Sequence, residues 1–108
     1  MRNLIKIVVC MYMATSTSEA FAADVEQGVV IVASDACDHF IVEVRGGWYI
    51  VLQDYYNKGV AVGDVVVGEM RTYGFTDMLW NGKGIKIYRE GWWGSKGTAF
   101  EKMAEKCH

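Results

Sequence analysis

The chain predicts an all-β fold: a small antiparallel barrel of five or six strands with a short C-terminal α-helix, tied by a Cys37–Cys107 disulfide. Three observations predict it. Short segments rich in valine, isoleucine and aromatics lie between glycines, and the 108 residues include no proline; such runs between turn residues read as strands. The last segment changes to a helical period. Two of the three cysteines fall in the part of the chain expected to fold.

Met1 to Ala22 places Arg2 and Lys6 ahead of an apolar run from Ile7 to Ala14, then a polar stretch ending in Ala20-Phe21-Ala22. That order reads as a secretory signal whose apolar part is too short to span a bilayer. Cys10 leaves with it, and residues 23–108 are expected to form one small domain, periplasmic or secreted. In an oxidising compartment Cys37 and Cys107 are expected to pair. A bridge enclosing most of the domain stabilises it by about 4 kcal/mol in chain-entropy arithmetic, a large share for a core this small. The alternative is a metal held by the two cysteines with His39 and His108.

Gln27 to Ala33 is the first candidate strand. His39 to Arg45 alternates, with Phe40, Val42 and Val44 on one face and Ile41, Glu43 and Arg45 on the other. Gly46-Gly47 supplies a two-residue hairpin turn. Trp48 to Gln53 returns, with Trp48, Ile50 and Leu52 expected inward. Asp54 to Gly63 reads as a loop, tightest at Asn57-Lys58-Gly59. Asp64 to Met70 is the fourth strand, and its interior Gly68 points to a bulge or bend. Phe75 to Trp80 sets Phe75, Asp77 and Leu79 against Thr76, Met78 and Trp80. Asn81 to Gly84 is a hairpin turn, and Ile85 to Glu90 returns with Ile85 and Ile87 inward and Lys86, Tyr88 and Glu90 outward. Six strands in sequential hairpins suit a coiled meander, and closing it into a barrel removes exposed edges. A small β-sandwich is the runner-up.

The end of the chain reads as a helix of about ten residues. Thr98 and Glu101 form a capping-box pair, and Phe100, Met103, Ala104 and Cys107 fall on one stripe. So short a helix must dock on the barrel to persist. Cys107 lies on the docking stripe and Cys37 in the turn after the first strand, so the stretch Ser34 to Phe40 reads mainly as a polar turn carrying half of a staple.

Charge narrows the function. Eleven Lys and Arg against 13 Asp and Glu give a net charge of -2, and no basic face gathers. Neither nucleic acid nor an anionic membrane is an expected partner, and no second apolar stretch is long enough for membrane insertion. Asp35, Asp38 and His39 form a candidate acid-base or divalent-metal loop, set against their reading as turn residues bonding their own backbone. Ser95-Lys96 is a poor nucleophile pair because adjacent side chains diverge. With two histidines, one at the terminus, acid-base catalysis has little material. No catalytic residue and no cofactor is expected.

The aromatics carry the functional reading. Tyr49, Tyr55, Tyr56, Tyr88, Trp92 and Trp93, with Tyr73, exceed what a small core takes up. Trp92 and Trp93 cannot both face inward, so one is expected on the surface or under the helix. Exposed aromatics beside polar groups stack on sugars or anchor protein interfaces.

Lys58 to Met70, KGVAVGDVVVGEM, has a glycine-aspartate ahead of a strand and a second glycine inside it. In this it resembles small exported barrels of the oligonucleotide/oligosaccharide-binding (OB-like) or SH3-like kind. The resemblance implies architecture only. An OB barrel carries a helix between its third and fourth strands, whereas here that position holds DYYNKGVAVG and the helix comes last. The expected function is a non-enzymatic binding module using exposed aromatics to hold a protein or an envelope polysaccharide. The alternatives are a small metal-dependent or acid-base enzyme at Asp35, Asp38 and His39, and a structural oligomeric subunit of the envelope.

Overall fold

The computed structural model describes residues 25–34 and 36–107. The expected signal segment, Cys10, Asp35 and His108 therefore lie outside the described residues. Six antiparallel strands form a closed barrel: β1 (Glu26–Ala33), β2 (His39–Val44), β3 (Trp48–Asp54), β4 (Val65–Gly68), β5 (Gly74–Trp80) and β6 (Lys83–Trp93). Helix α1 (Lys96–Lys106) follows.

The fold class is the expected one, but the plain succession of hairpins is not. The order around the barrel is β1-β2-β3-β6-β5-β4, with β4 closing on β1. The reason lies in residues 55–64, too long for a tight hairpin. Gly63 donates to the Val30 carbonyl and Val30 to the Asp64 carbonyl, both at 2.9 Å. The loop thus delivers the chain to the edge of β1, and β3 is left to pair with β6.

The alternation read from the sequence sorts side chains into two cores. Val30, Phe40, Val42, Val44, Ile50, Leu52, Val66, Met78, Ile85 and Ile87 fill the barrel. Ile41 and Val51, on the outer face of β2 and β3, pack under Ala99 and Met103 of α1. Trp48 departs from the expectation: it lies exposed at the end of β3, with the Arg71 guanidinium 5.1 Å from its ring centre. The β2–β3 connection has three residues rather than two, since Val44 pairs with Trp48. Between β5 and β6, Trp80 pairs with Lys83, leaving Asn81 and Gly82 at φ 49° and 84°, the left-handed pair that a type I′ hairpin needs.

Two glycines act through close approach. Gly68 ends β4 instead of bulging within it; a Cβ there would come 2.5 Å from Met78 Cγ. In β6, Val51 faces Gly91 while Leu52 faces Arg89, so Glu90 is the extra residue of a bulge. The bulge resets the alternation, which sends Trp92 to the barrel core and Trp93 under the helix. A Cβ on Gly91 would meet the Trp93 ring at 2.7 Å.

Arg89, unremarked in the sequence, is buried at the barrel end. Its guanidinium donates to the carbonyls of Glu69, Tyr73, Gly74 and Phe75 at 2.9 to 3.4 Å. One side chain thereby ties the β4–β5 connection to β6.

Helix α1 begins one turn earlier than the capping box placed it. Ser95 is the N-cap, its hydroxyl accepting from the Thr98 N–H at 3.2 Å. The helix therefore presents Ala99 and Met103, and Phe100 stands 51% exposed rather than docked, with Ala104 also exposed. Cys107 caps the helix and is bonded to Cys37, 70 residues away, with Cα atoms 5.1 Å apart.

Candidate functional site

On the outer face of β5 and β6, away from the helix, four aromatic rings form a continuous strip. Phe75 and Tyr88 are cross-strand partners, with ring centres 4.8 Å apart and edge to face. Tyr55 meets Phe75 edge-on at 4.9 Å, and Tyr56 meets Tyr55 at 5.1 Å. The strip forms because Tyr55 prolongs β3 by donating its N–H to the Lys86 carbonyl at 3.2 Å, which lays it beside β6. Phe75 is 51% exposed and Tyr56 61%. Perpendicular rings at this spacing attract through their quadrupoles, so the strip holds its shape without a cover. Charge flanks it: the Lys86 ammonium lies 5.8 Å from the Phe75 ring centre. Lys86 and Tyr56 also line a shallow concavity with Lys58 and Asp77.

Of the six aromatic positions singled out in the sequence, the structure brings Tyr55, Tyr56 and Tyr88 together. Tyr49 sits beside α1, its hydroxyl donating to Glu43 Oε2 at 3.2 Å, and that carboxylate raises the phenol pKa. Trp93 is claimed by the helix contact and Trp92 packs against the barrel core, with the exposed Tyr73 stacked on it at 5.1 Å. Phe75 was missed as a site residue. Its outward parity was legible, and its pairing opposite Tyr88 follows from the Asn81-Gly82 turn.

The loop before β2 is held by backbone bonds. Asp38 adopts φ 59°, Ser34 donates its N–H to the His39 carbonyl at 3.0 Å, and Asp54 donates to the Asp38 carbonyl at 2.7 Å. His39 is 6% exposed, and each of its ring nitrogens has a partner: Nδ1 donates to the Cys37 carbonyl at 2.7 Å, and Nε2 lies 2.8 Å from Glu90 Oε2. Both ring nitrogens are thereby engaged. Lys106 reaches the other Glu90 oxygen at 3.8 Å. A chain of polar contacts therefore joins β2, the β6 bulge and the last turn of α1 beside the disulfide.

Cys37, His39 and Cys107 place their ligand atoms within 4.8 Å of one another. A metal needs thiolates and a free imidazole nitrogen. Here the sulfurs are bonded to each other and both nitrogens are engaged, so the oxidised form does not present that set. Compared with models of protein families, with characterised proteins and with solved structures, the chain matches none.

Proposed function

We propose that this protein is a non-enzymatic binding module of the periplasm or extracellular space, an OB-like or SH3-like barrel that holds a partner on Tyr55, Tyr56, Phe75 and Tyr88. The observation that carries the reading is the strip itself: four rings, each touching the next, two of them more than half exposed, on a barrel face that no helix among the described residues covers. Clustered aromatics with a polar rim are the usual anchors of protein interfaces. Neighbouring rings stand perpendicular, which gives relief suited to a protein surface more than a row of flat platforms suited to a polysaccharide. The Cys37–Cys107 bridge favours an oxidising compartment.

The test compares capture of partners from cell-envelope extract by the wild-type protein and by Tyr55→Ala and Phe75→Ser. A protein band lost in both variants supports the reading. Loss of retention on envelope polysaccharide instead moves the partner class. Retention of every ligand by both variants removes the strip from consideration. Sedimentation of the pure protein addresses assembly of identical copies: a concentration-dependent dimer abolished by Phe75→Ser makes the strip a subunit interface.

A further inference from the structure

The loop that launches the strip also holds a second feature. Asp54, the last residue of β3, is 3% exposed. Its Oδ2 accepts from the backbone N–H groups of Lys58 at 2.6 Å and Gly59 at 3.1 Å. Its Oδ1 is buried with no hydrogen-bond partner among the described residues. A buried carboxylate oxygen without a partner is costly, and Asp54 forms no ion pair with a described lysine or arginine.

Asp54 lines a cavity of about 20 Å³ together with Ser34, Asp38, His39, Phe40, Asn57, Gly59 and Val60. That is room for one water or one ion. Among the described residues, no lysine or arginine contributes to the lining. The polar residues that do are two carboxylates, one amide and one hydroxyl, while both nitrogens of His39 are already engaged. The available donors are oxygens, which select a hard cation rather than zinc or copper. An irregular oxygen set from two loops, open on one side to water, suits the flexible shell of calcium better than the strict octahedron of magnesium.

We infer that the cavity between the loop before β2 and the loop after β3 is a calcium site, with Asp54 Oδ1 and the Asp38 carboxylate as its charged ligands and Asn57, Ser34 and water completing the shell. Two carboxylates place its affinity at the weak end, about 0.1 to 1 mM, where extracellular modules operate. The cation pins the start of the 55–64 loop and so fixes Tyr55 and Tyr56. The site stands independently of what the strip binds.

Calcium chloride titrated into the folded protein at constant ionic strength tests this, with magnesium chloride as the comparison. Thermal unfolding is expected to shift upward by about 10 °C at ~10 mM calcium, with a smaller shift from magnesium. Terbium bound in the same cavity is expected to luminesce on tyrosine excitation, because Tyr55 and Tyr56 adjoin it in the chain. Asp54→Asn keeps an oxygen for the two loop amides and removes the charge; it is expected to weaken calcium at least tenfold, as is Asp38→Asn, whereas Asp77→Asn leaves it unchanged. If Asp54→Asn does not fold, Asp38→Asn decides alone. A flat calcium titration of the wild type, equal shifts from calcium and magnesium, or undiminished calcium binding by Asp38→Asn overturns the assignment.

Discussion

The barrel has two outer faces built from similar material and treated in opposite ways. On β2 and β3 the outward Ile41 and Val51 are fully buried, because α1 lies over them. On β5 and β6 the outward Phe75 and Tyr88 hold each other edge to face and face solvent. The covered face is secured three ways near one point: the Cys37–Cys107 bond, the His39–Glu90–Lys106 chain and the Met103 contact. The bare face is held by its strands, by the ring contacts along the strip and by Arg89 at one end. The difference separates a face that completes the fold from a face left available for a partner, and each can be altered without the other.

The largest expected effect is on the covered face. Replacing both cysteines by serine is expected to cost about 4 kcal/mol in urea unfolding, with the helix released while the aromatic strip remains in the folded fraction. Next comes the barrel end beneath both faces. Arg89→Met leaves four carbonyls without their donor and is expected to cost about 3 kcal/mol; Arg89→Lys recovers only part of this, because an ammonium lacks the planar fork.

Met103→Ala follows at about 2 kcal/mol, against less than ~0.5 kcal/mol for Phe100→Ala one turn away on the exposed side. Equal costs would show that the helix docks by the stripe expected from the sequence. On the bare face the pattern inverts: Phe75→Ser is expected to change stability by less than ~1 kcal/mol and to weaken partner binding tenfold or more.

The smallest effect is a pH dependence at the β1–β4 edge. Asp64 accepts from the Trp80 indole N–H at 2.8 Å and from the Ala61 N–H at 2.9 Å. Those bonds hold its carboxyl below the usual value of 3.8. A depressed folded-state pKa contributes stability above the unfolded value and loses it as pH falls through the folded one. The midpoint difference between wild type and Asp64→Asn is therefore expected to be constant above about pH 5 and to close as pH falls below 3.8. A gap that persists in strong acid would mean the carboxylate charge contributes nothing there.

Much of this was legible in the chain. Period-two alternation placed Phe40, Val42, Ile50, Leu52, Ile85 and Ile87 inside, and the change of period in the last segment gave the helix. The paired cysteines gave the tie. What was not legible depended on contacts distant in sequence. A loop of ten residues does not announce that it crosses to β1, so the meander expectation failed. The Glu90 bulge is invisible to a parity argument, yet it alone decides which tryptophan goes inward. The docking stripe was misjudged because Phe100, Met103, Ala104 and Cys107 fit a helical period as well as Ala99, Met103 and Cys107 do, and only packing against Ile41 and Val51 selects between them. At the strip, the tyrosines were legible as surplus aromatics. Phe75 was passed over although its place with Asp77 on the outward face and the turn at Asn81-Gly82 set it beside Tyr88.

The most direct test of the two-face account uses its matched pair of exposed phenylalanines. Phe75 and Phe100 are each 51% exposed, one on the bare face and one on the outside of α1. A photo-crosslinking phenylalanine analogue placed at each position in turn, in envelope extract, is expected to trap a partner from position 75 and nothing specific from position 100. Equal trapping from both positions, or trapping from position 100 alone, would contradict the division between a sealed face and a binding face.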